Sequence, residues 1–303
     1  MSRENYRLDC LSQLEAESIF IIREAISEFK NPAMLYSMGK DSSVMVRLAK
    51  KAFYPDRIPF PIVHIDTGYK FKEMIKFRDD FAKKMNVKLI IERNKEMIAK
   101  GIHPLIHGTD ICCRYLKTTA LLNTIKKYNF DAVLGGARRE EEKSRAKERI
   151  FSIRNEFGVW DPKNQRPELW GLYNGRLKAG ETMRVFPLSN WTEADVWSYI
   201  QLENIEVVPL YFAEERDVVL RHGMIIPVDS STKLKENEKT ERMMIRFRSL
   251  GCSPCTGAVK SSATTLSQIV EEVIQSKKSE RENRLIDLSS DSSMEEKKKQ
   301  GYF

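Results

Sequence analysis

Short apolar runs alternate with amphipathic helical stretches from Ala33 to Leu134, and this alternation constrains the fold more than any other feature of the chain. Ala33-Met34-Leu35-Tyr36, Ile62-Val63-His64-Ile65, Lys88 to Ile91 and Ala132-Val133-Leu134 read as strands. Ser42 to Phe53, Phe71 to Met85 and Tyr115 to Tyr128 read as the helices between them. Repeated βα units lay their helices on the two faces of a parallel sheet, so the expected fold class is α/β with a doubly wound parallel sheet. Ahead of it, Leu11, Leu14, Ile21, Ile22, Ala25, Ile26 and Phe29 share one helical stripe, and Ser12 with Glu15 has capping-box spacing.

Beyond residue 150 the pattern turns irregular, with Trp160, Trp170, Pro162 and Pro167, before a helix at Thr192 to Leu202 introduced by Asn190 and Glu193. This region is expected to drape over the site. The expected division is 1–210 as the main unit and 211–303 as an irregular C-terminal extension that carries Cys252 and Cys255. Residues 277–303 are rich in Ser, Lys and Glu, which predicts a mobile or partner-dependent tail. No internal repeat is visible.

In a doubly wound sheet, ligands sit beyond the carboxyl ends of the strands, which brings the loops 37–41, 66–69 and 135–139 to one crevice. The first of them runs Ser37-Met38-Gly39-Lys40-Asp41-Ser42-Ser43. It lacks the Walker spacing but has its ingredients: a glycine for close approach, a lysine, hydroxyls and the start of a helix, whose N–H groups and dipole suit pyrophosphate. Asp41 has two readings, a loop-ordering or magnesium-holding carboxylate and a helix N-cap. The run Arg138 to Arg149 also has two, phosphate-binding cations and i,i+4 pairs (Arg138 with Glu142, Glu141 with Arg145) on an exposed helix. His64, His103, His107 and His222 lack zinc-site spacing and read as packing or hydrogen-bonding residues.

Composition adds bounds. With 303 residues and 41% hydrophobic content the chain can bury one sizeable core. Five cysteines, two adjacent and two spaced C-x-x-C, do not resemble a secreted disulfide framework, and no apolar run approaches a membrane span. A soluble, cytoplasmic protein is expected. The formal charge of +8 favours polyanionic partners such as nucleotides or nucleic acid.

Across nearly its whole length the chain resembles the phosphoadenosine-phosphosulfate-reductase-like ATP pyrophosphatases, above all the small subunits of sulfate adenylyltransferases. The resemblance rests on Ser37 to Ser43, His64-Ile65-Asp66-Thr67-Gly68, Gly135-Gly136-Ala137-Arg138-Arg139, Glu142-Lys143-Ser144-Arg145, Trp160-Asp161-Pro162, Phe186 to Thr192 and Gly301-Tyr302-Phe303. It implies an adenine-nucleotide alpha-hydrolase-like fold that cleaves ATP between its α and β phosphates with Mg2+. ATP would lie on Ser37, Met38, Gly39, Lys40, Asp41, Ser42, Ser43, His64, Asp66, Thr67, Gly135 and Gly136. Attack at the α-phosphorus builds charge on phosphoryl oxygens, so fixed cations matter more than a nucleophile, and Lys40, Asp41, Arg138, Arg139 and Arg145 are the catalytic candidates.

Cys112-Cys113 and Cys252-Ser253-Pro254-Cys255 depart from the usual pattern of those small subunits. Together Cys112, Cys113, Cys252 and Cys255 resemble the four-cysteine set that holds a [4Fe-4S] cluster in adenylylsulfate reductases; zinc and unligated thiols are the other readings. Cys10 is left over. No cysteine follows Cys255 to act as a reductase nucleophile. The combination resembles the ATP pyrophosphatases of bacterial DNA phosphorothioation, which implies DNA and a cysteine desulfurase as partners, and this is the leading expectation. The alternative is a sulfate adenylyltransferase subunit working with a GTPase subunit, and a third is a non-catalytic DNA-binding scaffold.

Overall fold

The computed structural model describes residues 3–141, 143–221, 223–228, 238–276 and 280. Glu142, His222 and, Glu280 apart, the tail 277–303 with its Gly301-Tyr302-Phe303 lie outside the described residues.

The strands β1 (Pro32–Leu35), β2 (Ile62–Ile65), β3 (Leu89–Glu92), β4 (Ala132–Leu134), β5 (Phe151–Arg154) and β6 (Thr182–Val185) form a central sheet in the order β3-β2-β1-β4-β6-β5. All neighbours run parallel except β5, which pairs antiparallel with β6 through Phe151 opposite Val185. The chain winds outward from β1 to β2 and β3, then returns to place β4 on the other side of β1. The switch point therefore falls between β1 and β4, whose carboxyl ends release the loops 36–39 and 135–138 side by side.

Helices α1 (Arg3–Glu28), α2 (Lys40–Phe53), α3 (Lys72–Met85), the short α4 (Lys95–Ala99), α5 (Pro104–His107) and α6 (Thr109–Cys113), then α7 (Ala120–Tyr128) and α8 (Glu193–Leu202), surround the sheet. A π-helical turn, Arg114–Thr119, joins α6 to α7. Both α3 and α7 stop at asparagines in the left-handed region, Asn86 (φ 52) and Asn129 (φ 54), residues whose short polar side chains tolerate that conformation. Two capping expectations shift. Ser12 and Glu15 lie inside α1, which starts earlier, and α8 is capped by Thr192, whose hydroxyl accepts from Asp195 N at 3.1 Å. Asn190 instead donates to Glu17 Oε1 at 2.7 Å.

The stretch after Tyr211, read from sequence as irregular, contains a second sheet. Strands β7 (Glu214–Arg221), β8 (Met224–Pro227), β9 (Glu241–Arg246) and β10 (Val259–Lys260) pair antiparallel in the order β10-β9-β7-β8, followed by α9 (Leu266–Gln275). The run Glu214-Glu215-Arg216-Asp217 is mostly exposed, so the first half of β7 shows no apolar alternation to betray it. The main apolar cluster joins α1 (Ile21, Ile22), the central sheet (Met34, Ile62, Leu134), β9 (Ile245) and α9 (Ile269). Trp191 in that cluster donates Nε1–H to Ser18 Oγ at 2.9 Å, and Ser18 donates on to Pro187 O at 2.9 Å, so the buried indole and hydroxyl are both satisfied. Among the described residues no helix is long and apolar enough to cross a membrane.

Candidate active site

The loop after β1 turns back on itself at Met38, a non-glycine residue at φ 64 whose side chain is fully buried in the core. Such a backbone persists only where its surroundings over-determine it. Here Gly39 N donates to Ser37 Oγ at 3.4 Å, Ser42 Oγ donates to Gly39 O at 2.9 Å and Ser43 N donates to the same carbonyl at 3.0 Å. The turn aims the N-terminus of α2 at the switch point. Asp41 lies in the first turn of α2, and Gly39 is the capping residue without a side-chain bond, so the N-cap reading of Asp41 is not the observed one.

Gly136 brings the β4 loop against this helix. A Cβ added there would lie 3.1 Å from Asp41 Cβ and 3.3 Å from its carbonyl carbon, tighter than ordinary contact. The close approach lets Arg138 reach Asp41: Nε donates to Asp41 Oδ1 at 2.8 Å, Nη1 to Glu140 Oε2 at 2.8 Å and Nη2 to Glu280 Oε1 at 2.5 Å. Lys40 Nζ donates to Asp41 Oδ2 at 3.1 Å and to Glu280 Oε2, while Lys40 N donates to Tyr211 Oη at 2.8 Å. Arg138 therefore belongs to a buried ion network, and the exposed-helix reading of 138–149 is corrected: the segment forms the 3-10 turns Arg139–Glu141 and Lys143–Lys147.

Burial opposes the charges on Lys40, Asp41 and Glu280. For Lys40 the carboxylates of Asp41 and Glu280 outweigh it and raise the pKa, which keeps the ammonium protonated. For Asp41 burial is again the largest influence, yet Lys40 and Arg138 prevail and hold the carboxyl at about 2. Glu280 is likewise held below the usual carboxylate range, burial being overcome by Lys40 and then Arg138.

Beside the network opens a cavity of about 290 Å³, lined by Ser37, Asp41 and Ser42 from the first loop, His64 and Ile65 from β2, and Gly135 to Ala137. Lys70, Lys117 and Arg145 bring positive charge to its wall, and Leu250 to Cys252 with Cys255 and Thr256 close another side. His64 Nδ1 lies 2.9 Å from Tyr36 O; burial first and Lys70 second push its pKa down to about 4. A neutral ring donates Nδ1–H to that carbonyl, which leaves Nε2 as an acceptor. Arg145, inside, donates to Glu148 Oε2 at 3.2 Å and faces the Phe186 ring at 5.7 Å.

Of the site residues expected from sequence, Ser37, Asp41, Ser42, His64, Gly135, Gly136 and Arg145 meet in the cavity wall. Gly39, Lys40, Ser43 and Arg138 lie immediately behind it. Met38 turns into the core. Asp66 braces its own loop, accepting from Gly68 N at 2.8 Å and Arg93 Nη2 at 2.6 Å, and Thr67 Oγ1 lies 3.2 Å from Cys252 Sγ. Arg139 does not join: its guanidinium donates to Asn190 Oδ1 and its backbone N to Ser189 O at 3.0 Å. Sequence reading missed Tyr211 and Glu280, which approach Lys40 from 171 and 240 residues away with no local pattern to signal it. Lys70 and Lys117 were also passed over, since an isolated lysine, in a loop or on a helix, reads as solvated charge.

Two segments with 138 residues between Cys113 and Cys252 bring Cys113, Cys252 and Cys255 to one wall, and Cys112 lies buried beside Cys113. Burial raises Cys112 to about 12, with Cys113 and Cys252 adding to it, and burial likewise raises Cys255 to about 12, with Cys252, Cys113 and Cys112 adding. At Cys252 burial is overcome by Lys117, Lys70 and the Thr67 hydroxyl, which lower its pKa. Four thiols carry the donor chemistry of an iron-sulfur or zinc site. Their arrangement does not match one: among the described residues no three His, Cys, Asp or Glu side chains gather as metal ligands, so the geometry does not carry the expected [4Fe-4S] cluster.

Residues 31–258 match the family model of the phosphoadenosine phosphosulfate reductase domain. Over 302 residues, 99% of this chain and 100% of the relative, the sequence is 58% identical to sulfate adenylyltransferase subunit 2 of Bacteroides fragilis. Over 298 residues, 98% of this chain and 99% of the relative, it is 58% identical to the same subunit of Aliivibrio fischeri. Among solved structures, Candida glabrata FMN adenylyltransferase gives a TM-score of 0.50 at 15% identity, over 78% of this chain and 72% of that one, a likeness of fold alone.

Proposed function

The chain belongs to the phosphoadenosine phosphosulfate reductase domain family, and from that membership we propose that it is an ATP-dependent adenylyltransferase subunit whose acceptor is sulfate. The observation that carries this reading is the 58% identity to sulfate adenylyltransferase subunit 2 over 99% of the chain. The DNA phosphorothioation reading, with DNA and a cysteine desulfurase as partners, finds no support in these relatives and gives way to the sulfate alternative. So does the non-catalytic scaffold. The designation of the relatives as subunit 2 supports a partner subunit, which we take to be a GTPase.

In the proposed reaction a sulfate oxygen attacks the α-phosphorus of ATP, the bond from that phosphorus to the α,β-bridging oxygen breaks, and adenylyl sulfate and pyrophosphate result. Negative charge grows on the α-phosphoryl oxygens and the departing pyrophosphate, so the protein's contribution is fixed cations and N–H donors held ready for it. Lys40, Arg138 and the N-terminus of α2 serve the pyrophosphate side. Lys70, Lys117 and Arg145 on the cavity wall serve the oxyanions of acceptor and α-phosphate. His64, with Nε2 as acceptor, suits the exocyclic amino group of adenine. Magnesium that arrives with ATP would be held chiefly by phosphate oxygens, and Asp41 is the loop carboxylate in reach of it.

The test is pyrophosphate release from ATP by the purified chain with its partner subunit, with and without sulfate. Sulfate-dependent release that vanishes in Lys40→Ala, with the circular dichroism spectrum unchanged, is expected; sulfate-independent release, or full activity in Lys40→Ala, would overturn the assignment. Iron and zinc analysis of the same anaerobic preparation decides the role of the four cysteines, and a colourless, metal-free active protein leaves them as packed thiols.

A further inference from the structure

The two cations best placed to receive pyrophosphate do not face the cavity. Lys40 and Arg138 are each 1% exposed and lie behind the lining formed by Ser37, Asp41, Ser42, Gly135, Gly136 and Ala137. What covers them is a carboxylate from far along the chain. Glu280 bridges the pair, with Oε2 on Lys40 Nζ and Oε1 on Arg138 Nη2 at 2.5 Å, and Ser249 Oγ donates to the Glu280 carbonyl at 3.3 Å. Glu280 is itself 7% exposed.

A carboxylate that accepts from a lysine and an arginine at once presents the same pair of oxygens that a terminal phosphate would present to them. Charge balance adds a second argument. Lys40 and Arg138 are already matched by Asp41, Glu280 and Glu140, so a polyphosphate approaching the intact network would meet three carboxylates against these two cations. Buried charges of like sign are costly unless one leaves or is neutralised. The Asp41 carboxylate is fixed by its place in the first turn of α2, whereas Glu280 is reached only through the C-terminal stretch.

We propose that Glu280 is a built-in stand-in for the terminal phosphates of ATP: it occupies the pyrophosphate subsite between Lys40 and Arg138 in the free chain and is displaced when the nucleotide binds. The proposal rests on the nucleotide reading of the loop and extends it. Binding of pyrophosphate and anchoring of Glu280 are then mutually exclusive, so the free chain discounts its own affinity by the fraction of time the subsite is open. A partner that holds the C-terminal stretch elsewhere would tighten ATP binding without touching the site.

The experiment is calorimetric titration of the full chain with inorganic pyrophosphate and, separately, with adenosine, for the wild type, Glu280→Gln, Glu280→Ala and Lys40→Ala. Both Glu280 variants should bind pyrophosphate about tenfold or more tightly than the wild type, with adenosine affinity unchanged, because a competitor has been removed. In the wild type, saturating pyrophosphate should also speed amide exchange in the peptide that contains Glu280. Equal or weaker pyrophosphate binding in both Glu280 variants, or exchange that pyrophosphate leaves unchanged, overturns the proposal while the nucleotide reading stands. Adenosine binding with no pyrophosphate binding in any variant removes both.

Discussion

Replacing His64 by glutamine should flatten the acid limb of the protein's stability curve. The ring is 1% exposed and bonded through Nδ1 to Tyr36 O, and burial with Lys70 places its folded pKa at about 4 against an ordinary 6.5. The folded value is the lower one, so as pH falls the unfolded chain takes up this proton first. Stability from this source is therefore intact above pH 6.5 and is lost progressively as pH falls from 6.5 to 4. At about 1.4 kcal/mol for each tenfold change in proton affinity, the fall from 6.5 to about 4 amounts to about 3.5 kcal/mol over the whole window. Urea unfolding of both proteins at pH 7.5 and 4.5 isolates the contribution, because all other titrating groups are common to the pair. The wild type should lose about 2–3 kcal/mol more than His64→Gln on acidification. Equal losses would refute the claim that His64 is buried in neutral form, and with it the assignment of Nε2 as an acceptor.

Two further substitutions probe the supports of the site. Gly136→Ala puts a methyl group 3.1 Å from Asp41 Cβ, so it should displace α2 from the β4 loop and lower kcat/KM for ATP by roughly tenfold or more while costing about 1–3 kcal/mol of stability; wild-type kinetics would show that the approach is not needed. Glu148 accepts from Arg154 Nη2 at 2.5 Å and from Arg145 at 3.2 Å, and nearby Arg184 is pushed down to about 9 by burial and then Arg154. Glu148→Gln should therefore cost about 3–5 kcal/mol in urea unfolding, since buried guanidinium charge loses its balance, and a loss below about 1 kcal/mol would contradict that account.

The parallel sheet was legible because β1, β2 and β4 are short, with β2 and β4 nearly or wholly buried and β1 buried at its centre, so their apolar runs stand out between amphipathic helices. The loop at Ser37 to Ser43 was legible for the same reason: strand, glycine, hydroxyls and helix follow one another locally. What stayed hidden was non-local. Arg139 sits next to Arg138 in sequence, yet one faces Asn190 and the other Asp41, a difference made by the turn they share rather than by residue type. Tyr211 and Glu280 carry no motif and matter only because the second half of the chain folds back across α2. The cysteines differ again: their spacing suggests ligation, and the fold brings Cys113, Cys252 and Cys255 to one wall, but among the described residues no three metal-ligating side chains gather there.

The π turn at Arg114–Thr119 makes α6 and α7 one rod with a single residue too many for regular winding. Cys113, Lys117, Thr118 and Leu121 all look into the cavity from this rod, a set that an unbroken α-helix would spread over a wider arc. One residue corresponds to about 100° of helical rotation, so its removal would swing one half of the rod relative to the other. Chain length in this segment is thus a phase setting: length-preserving substitutions alter what the wall is made of, while a one-residue deletion alters which residues are the wall.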